Sequence, residues 1–317
     1  MTKKKIGLLI MAYGTPYRKK DIVPYYTAIR HGRRPTDEEI EDLTRRYEAI
    51  GGASPLARLT MAQAETLEKR LNGDRPDLRF KAFLGLKYIH PFIEDAVQKM
   101  HDEGIERAVA LVLAPHYSRF SVQSYTDRAL AAADKTGGPL IDSVKSWYRQ
   151  PGFIQCWADR IRKTLAAIPE AEQDRAVVVF SAHSLPEKIQ KDGDPYPDQV
   201  KETAESIAET AGLRHYAQAW QSAGKTHGPW LGPDILDKTR GLFSKYGYKH
   251  FIFCPIGFVA EHLEVLYDND QECRSLVEKL GGQYHRPPMP DADPLFIGAL
   301  ASAVEGVLNE AKSHAQS

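Results

Sequence analysis

Residues 261–272 read EHLEVLYDNDQE. Glu261, Glu264, Asp268 and Glu272 follow one another at steps of three, four and four, with no Lys or Arg among them. On a helix those steps stack side chains along one face. Like charges so placed repel by about 0.2–0.5 kcal/mol per pair, and a surface helix normally intersperses bases. Two readings stand side by side: a solvated helix face, or a stripe that meets something positive, a metal ion or protons in transit. A second group with chemical capacity is His183. It follows the apolar run Val177 to Ala182, and Pro186 stops the segment soon after. An imidazole there can cap a turn. It can also accept a proton or bind a divalent metal, because its ordinary pKa lies near working pH.

Such groups need elements that hold them. Continuous apolar runs at 5–12, 79–85, 107–114, 140–143, 175–182, 214–220 and 249–256 predict strands. Helical patterns at 36–50, 60–72, 91–103, 152–168, 198–212, 233–246 and 293–311 lie between them. Buried strands alternating with helices indicate parallel sheets covered on both faces, an α/β fold. The stretch 136–152, with Trp147 and Tyr148, reads as a crossover between two halves. The halves are weakly alike. The first strand ends in Ala12-Tyr13-Gly14-Thr15-Pro16 and its counterpart in Ala182-His183-Ser184-Leu185-Pro186, and each half later carries a Gly-led strand closed by Pro, GIERAVALVLAP and GYKHFIFCP. Tyr13 and His183 would then stand at carboxyl ends of sheets, where open α/β folds bind ligands, facing each other across a cleft. The expected domains are 1–145 and 146–317, with the C-terminal helix able to pack back on the first.

Composition narrows the field. The 317 residues carry 42 basic and 42 acidic side chains, 42% hydrophobic and 26% charged residues, an ordinary globular balance with no global bias toward nucleic acid. Lys3 to Lys5 followed by Ile6 to Ala12 imitates an export signal, but Tyr-Gly-Thr-Pro replaces a small-residue cleavage site, so the run reads as a buried strand. No apolar run approaches the ~18 residues needed to span a bilayer. Cys156, Cys254 and Cys273 are odd in number and far apart, which suits a reducing cytoplasm. AWQSAGKT at 219–226 nearly spells a phosphate-binding loop, yet Ala219 stands where its first glycine belongs, and His-Gly-Pro-Trp cannot open the helix that would hold phosphate. Ser181 and Ser184 lack a G-x-S-x-G setting, and Cys273 replaces the glycine a calcium loop would need after Asp268-Asn269-Asp270.

Several segments taken together resemble the ferrochelatase family: AYGTP at 12–16, RYEAIGGASPL at 46–56, LAPHYS at 113–118, SVQSY at 121–125, SAHSLP at 181–186, WQSAG and WLGPD within 220–234, and GFVAEHLEVLYDND at 257–270. They fall in that family's order over nearly the whole chain. The resemblance implies two similar Rossmann-like domains of chelatase type, each a parallel sheet flanked by helices, with a porphyrin cleft between them. It implies a lyase-class metal chelatase that inserts Fe²⁺, as substrate, into a porphyrin. His183 and Glu264 match its active-site histidine and glutamate. His183 would take pyrrole protons or bind the metal, and Glu264 would keep the site anionic and pass protons on. Asp268 and Glu272, with Glu261 as an outer relay, would give Fe²⁺ or protons a path to water. On that reading the repulsion is tolerated because the guest is positive. An accessory divalent cation near Asp268 and Glu272 belongs to the same expectation.

Ring insertion also needs a shaped apolar cleft that buckles the macrocycle. Tyr13 matches the residue on the other ring face, although a Tyr after a strand often simply packs. Arg30, Arg46, Tyr47, Ser54 and Tyr125 match positions that contact the porphyrin and its carboxylates. Arginine forks suit propionates, while Arg33, Arg34 and Arg45 fit a solvated basic face equally well. The segment YRKKDIVPYYTAIRHGRRP reads as a lip over the cleft, with at most peripheral membrane contact.

The C-terminal extension that carries an iron–sulfur cluster in animal relatives is missing here, so no cluster is expected. The compact form resembles the Gram-positive branch, whose monomeric, soluble enzymes act on coproporphyrin III rather than protoporphyrin IX. Transient contact with neighbouring enzymes of haem synthesis would follow. Tyr88 stands where some relatives pair a His with Lys87 to bind metal outside the cleft, so that site is not carried over. Three alternatives stay open: protoporphyrin IX as substrate, a chelatase for cobalt and an earlier tetrapyrrole, and a non-catalytic two-lobed carrier of haem or metal.

Overall fold

In a computed structural model, residues 3–224 and 228–316 are described, side chains through residue 311. Lys225 and Thr226, which complete the near phosphate-loop, lie outside the described residues. The chain divides into two compact units, 1–150 with 291–317, and 151–290.

The first unit opens with β1 (Lys4–Ala12), α1 (Ile22–Ile29), α2 (Asp37–Ala49), α3 (Leu56–Asp74) and β2 (Leu78–Leu86). It continues with α4 (Ile93–Asp102), β3 (Arg107–Val112), α5 (Val122–Thr136) and β4 (Leu140–Val144). Its four strands are parallel in the order β2-β1-β3-β4. Central β1 is buried from Ile6 to Ala12, as a strand covered on both faces must be. Leu9, Met11, Phe83, Ile93, Val97, Met100, Ala110 and Ala129 form a core under α4 and α5.

The second unit contains α6 (Pro151–Ala166), β5 (Ala176–His183), the single turn α7 (Lys188–Lys191), α8 (Tyr196–Ala211), β6 (Tyr216–Gln221), α9 (Ile235–Tyr246) and β7 (His250–Cys254). A π-helix (Glu264–Cys273) follows and runs directly into α10 (Arg274–Lys279), then β8 (Gln283–His285). These four strands are also parallel, in the order β6-β5-β7-β8. The order within the two sheets is the same, so the weak repeat read from the strand ends is a repeat of topology. Val177, Val179, Ala219, Phe251, Phe253 and Val277 fill the core.

The last helix, α11 (Pro294–Gln316), returns to the first unit, where it packs on α3 and β4. The Phe296 ring lies 5.7 Å from that of Trp147, and Gln63 Nε2 donates to Asp291 O at 2.9 Å. The stretch read as a crossover holds β4, and Trp147 is fixed to the first unit by its indole N–H on Val112 O at 3.0 Å. Among the described residues no helix is long and apolar enough to cross a membrane.

Candidate active site

In the second unit, β5 delivers His183 at its carboxyl end. Gly257 allows the following chain to lie against it: a Cβ at that position would stand 2.6 Å from Ala182 Cβ and 2.9 Å from Ala182 Cα. The backbone that leads to the acidic segment therefore passes directly beside the strand end. His183 Nε2 lies 3.7 Å from Glu264 Oε1, each side chain about one-third exposed (35% and 34%). The other ring nitrogen, Nδ1, is 2.5 Å from Ser184 O; if it carries the proton it donates there, and Nε2 is then left as an acceptor facing Glu264. The Tyr196 hydroxyl donates to His183 O at 2.9 Å, fixing the strand end from behind.

Glu264 has a second imidazole neighbour that the sequence reading did not single out. His262 Nε2 lies 3.8 Å from Glu264 Oε2, and its Nδ1 is 2.9 Å from Ala260 O. Burial lowers the pKa of this ring, but the Glu264 carboxylate, the Ala260 carbonyl and the Asp268 charge together outweigh burial and raise it above the ordinary 6.5. At 3.8 Å that pull is attraction between charges rather than a formed hydrogen bond. One carboxylate thus sits between two imidazoles, a chain able to hold and pass a proton.

The acidic segment is helical, but wider than expected. Residues Glu264–Cys273 form a π-helix, a geometry that is rare and concentrated at functional sites. Glu264, Asp268 and Glu272 grade from half-buried through buried (8% exposed) to exposed. Asp268 accepts from the Ser222 hydroxyl, and Ser222 holds a left-handed φ of 59°, uncommon outside glycine. Gln221 Nε2 reaches both Glu264 O and Asn269 Oδ1 at 3.3 Å, while its Oε1 accepts from Ser181 at 2.7 Å. Glu261 departs from the expected stripe. It precedes the π-helix, and its Oε1 accepts from Arg286 Nη1 at 2.9 Å. Among the described residues no three or more His, Cys, Asp or Glu side chains are grouped to hold a metal ion.

In the first unit, Tyr13 follows β1 and is 43% exposed, its ring 4.6 Å from that of Tyr88 and 6.4 Å from that of Tyr25. Gly14 turns the chain at φ 88° and receives the Tyr25 hydroxyl on its carbonyl at 3.1 Å. The lip segment is partly helical: α1 buries Ile22 and Tyr25. Lys87 connects Tyr88 with Tyr125, its ammonium 5.4 Å and 4.6 Å from the two ring centres, and donates to Ser124 Oγ at 2.6 Å. Burial, then the nearby Arg128 charge, push its pKa down to about 8. Tyr125 is buried, and burial raises its pKa.

Tyr47 is buried and its hydroxyl is 3.1 Å from Thr15 Oγ1. Ser54 is buried, with its Oγ accepting from Leu56 N at 3.2 Å. Arg30 is ion-paired with Glu39, which also closes the N-terminus of α2 by bonding back to Thr36 N at 2.8 Å. Arg46 Nε lies 3.4 Å from Asp42 Oδ2. The cationic forks thus carry protein carboxylates of their own, and an incoming carboxylate must share or displace them. Tyr13 and Tyr125 are linked through Tyr88 and Lys87, and Tyr47 adjoins the Tyr13 turn through Thr15.

Comparison with known proteins gives the family of the chain. Residues 5–308 match the family described as Ferrochelatase. The chain belongs to the ferrochelatase family. It is 59% identical over 304 residues to the coproporphyrin III ferrochelatase of Geobacillus kaustophilus, covering 96% of each chain. To that of Listeria monocytogenes it is 58% identical over 301 residues, covering 95% of this chain and 97% of the relative. Among solved structures, SirB from Bacillus subtilis with Fe³⁺ superposes with a TM-score of 0.58 at 12% identity, covering 98% of both chains. The sirohydrochlorin chelatase SirB in complex with cobalt gives 0.57 at 10% identity, covering 98% of this chain and 97% of that one. Those two likenesses establish a chelatase fold with two Rossmann-like domains; the family itself rests on the sequence match.

Proposed function

We propose that this ferrochelatase inserts Fe²⁺ into coproporphyrin III to give iron coproporphyrin, as a step of haem synthesis in the cytoplasm. The observation that carries the chemistry is the His183–Glu264 pair at 3.7 Å, at the carboxyl end of a parallel strand. The reaction releases two pyrrole protons as one Fe²⁺ enters, so charge and atoms balance. His183 accepts a pyrrole proton or holds the iron through Nε2, and Glu264 keeps the site anionic and passes protons on. Asp268 and Glu272 form the route for Fe²⁺ or protons, with any accessory cation held there. Glu261 is weaker in that role because Arg286 holds it.

Tyr13 contacts the ring face opposite the incoming metal, and Arg30, Arg46, Tyr47, Ser54 and Tyr125 bind the ring and its propionates. The choice of coproporphyrin III is supported by the relatives named above, and a basic, aromatic surface around α1 suits four carboxylates better than two. The test is anaerobic mixing with Fe²⁺ and, in parallel, coproporphyrin III or protoporphyrin IX, followed by visible absorption, with Co²⁺ as a further arm. Metallation of coproporphyrin III should be fastest, and His183→Ala should abolish it while porphyrin fluorescence titrations still report binding. Porphyrin bound without turnover by the unaltered chain would favour a carrier and end the reading.

A further inference from the structure

Arg286, just past β8, is buried to 10% side-chain exposure and is distant in sequence from the acids it meets. Its guanidinium takes Asp270 with two parallel bonds, Nε to Oδ1 at 2.8 Å and Nη2 to Oδ2 at 2.7 Å. Nη1 bonds Glu261 Oε1 at 2.9 Å and Pro287 O at 3.2 Å. The Tyr284 hydroxyl adds a bond to Asp270 Oδ1 at 2.7 Å, and Met289 N reaches Glu261 Oε1 at 3.3 Å. A buried guanidinium is costly unless its donors are met, and an apolar side chain would serve packing alone. Here the donors are spent on two carboxylates that lie on either side of Glu264 and Asp268 in the chain.

We propose that Arg286 is a positioning residue for metal insertion: by clamping Glu261 and Asp270 together it fixes the π-helical segment so that Glu264 stays against His183 and Asp268 stays on Ser222. This rests on the function proposed above. The clamp performs two tasks with one side chain. It holds the segment in a geometry less favourable than an α-helix, by tying the residue before the wide turns to one within them. It also gives Glu261 and Asp270 a shared counter-charge, so that these two acids flank Glu264 and Asp268 without adding to the repulsion along the segment. A forked, planar donor set is required, so Lys is not an equivalent replacement.

The test compares Arg286→Lys, which keeps charge without the fork, and Arg286→Met, which keeps bulk alone, with the unaltered chain. Hydrogen exchange of amides 264–273 is read beside that of β5 and β7, and kcat for Fe²⁺ insertion beside KM for coproporphyrin III. For Arg286→Lys we expect at least tenfold loss of protection confined to 264–273, at least a tenfold lower kcat, and KM within twofold. Protection and kcat within twofold of the unaltered chain would overturn the proposal. So would a loss spread evenly over the second unit with KM changed equally, since that is general destabilisation. Should Arg286→Met fail to fold, Arg286→Lys still carries the comparison. If the unaltered chain metallates nothing, the functional reading fails, and the clamp is judged by exchange alone: protection retained refutes it, protection lost from 264–273 supports it.

Discussion

Replacing Glu264 by Gln removes one charge and almost no volume. The fold should tolerate it, because the bond from Gln221 goes to the Glu264 backbone carbonyl, which stays. The carboxylate lies 3.7 Å from His183 and 3.8 Å from His262. For a protonated His262, opposite charges at 3.8 Å attract by about 4 kcal/mol at an effective dielectric of about 20. Glu264 is 34% exposed, so screening reduces this to about 1 kcal/mol. Loss of a positioned proton acceptor typically costs about 10²–10⁴ in rate. Metallation by Glu264→Gln should therefore slow by at least about two orders of magnitude, with porphyrin affinity little changed.

The same substitution acts on His262. Burial, the largest influence, lowers its pKa, and Glu264, with the Ala260 carbonyl and Asp268, together raise it above the ordinary value. Without the Glu264 charge the ring should titrate lower than in the unaltered chain. The stability consequence has a definite sign: a histidine raised in the folded state contributes stability below the unfolded pKa, about 6.5, and loses it as pH rises through the folded value. Glu264→Gln should thus destabilise more at pH 5.5 than at pH 8. Denaturant unfolding at the two pH values, with ¹⁵N-detected titration of the His262 ring, reads both effects. A variant whose His262 titrates no lower than in the unaltered chain, or that metallates within tenfold of the unaltered rate, would refute this account of the carboxylate.

Asp268→Asn and Glu272→Gln should raise the KM for Fe²⁺ more than they lower kcat; a kcat loss as large as that of Glu264→Gln would remove them from a supply route. Arg30→Ala should raise the KM for coproporphyrin III several-fold, and because Glu39 occupies Arg30 in the free protein, Glu39→Gln should lower that KM; unchanged values in steady-state kinetics would leave the clamp without support. Lys87 costs the folded state about 3 kcal/mol at neutral pH, since its pKa falls from 10.5 to about 8, partly offset by its two aromatic contacts. Lys87→Met should raise the unfolding free energy at pH 7 by about 1–3 kcal/mol, with the gain shrinking between pH 8 and 10.5, and no gain in denaturant titrations would refute burial as a cost to the charged ammonium.

The sheets were legible because buried parallel strands are nearly uniformly apolar. The run VVVFSA predicts β5 and KIGLLIMA predicts β1, each within a residue of its observed bounds. Strand β8 was not legible: Gln283-Tyr284-His285 is short and polar, and it is a strand only because β7 lies beside it. Helix α5 was missed where SVQSYTDRALAAADKT follows a turn-rich stretch, and α1 because Pro24 and two tyrosines mask its period. His262 escaped notice for a geometric reason. Residues two apart do not face each other on a helix, and the segment was read as helical from Glu261 onward. Only because the π-helix begins at Glu264 does the preceding chain turn His262 back toward it. Arg286 carried no local signal at all, since its partners are 16 and 25 residues away.

That clamp changes the explanation of the acidic row itself. Four carboxylates on one helical stripe with no base among them call, on sequence alone, for a positive guest. In the structure most of the repulsion is relieved by the protein before any guest arrives. Glu261 and Asp270 share Arg286, Glu264 lies between two imidazoles, and Asp268 accepts from Ser222. Glu272 is the exposed member of the row. On the proposed route a cation entering at Glu272 would meet Asp268 on the Ser222 hydroxyl and then Glu264 between two imidazoles, where binding the carboxylate requires an imidazole to give up its hold.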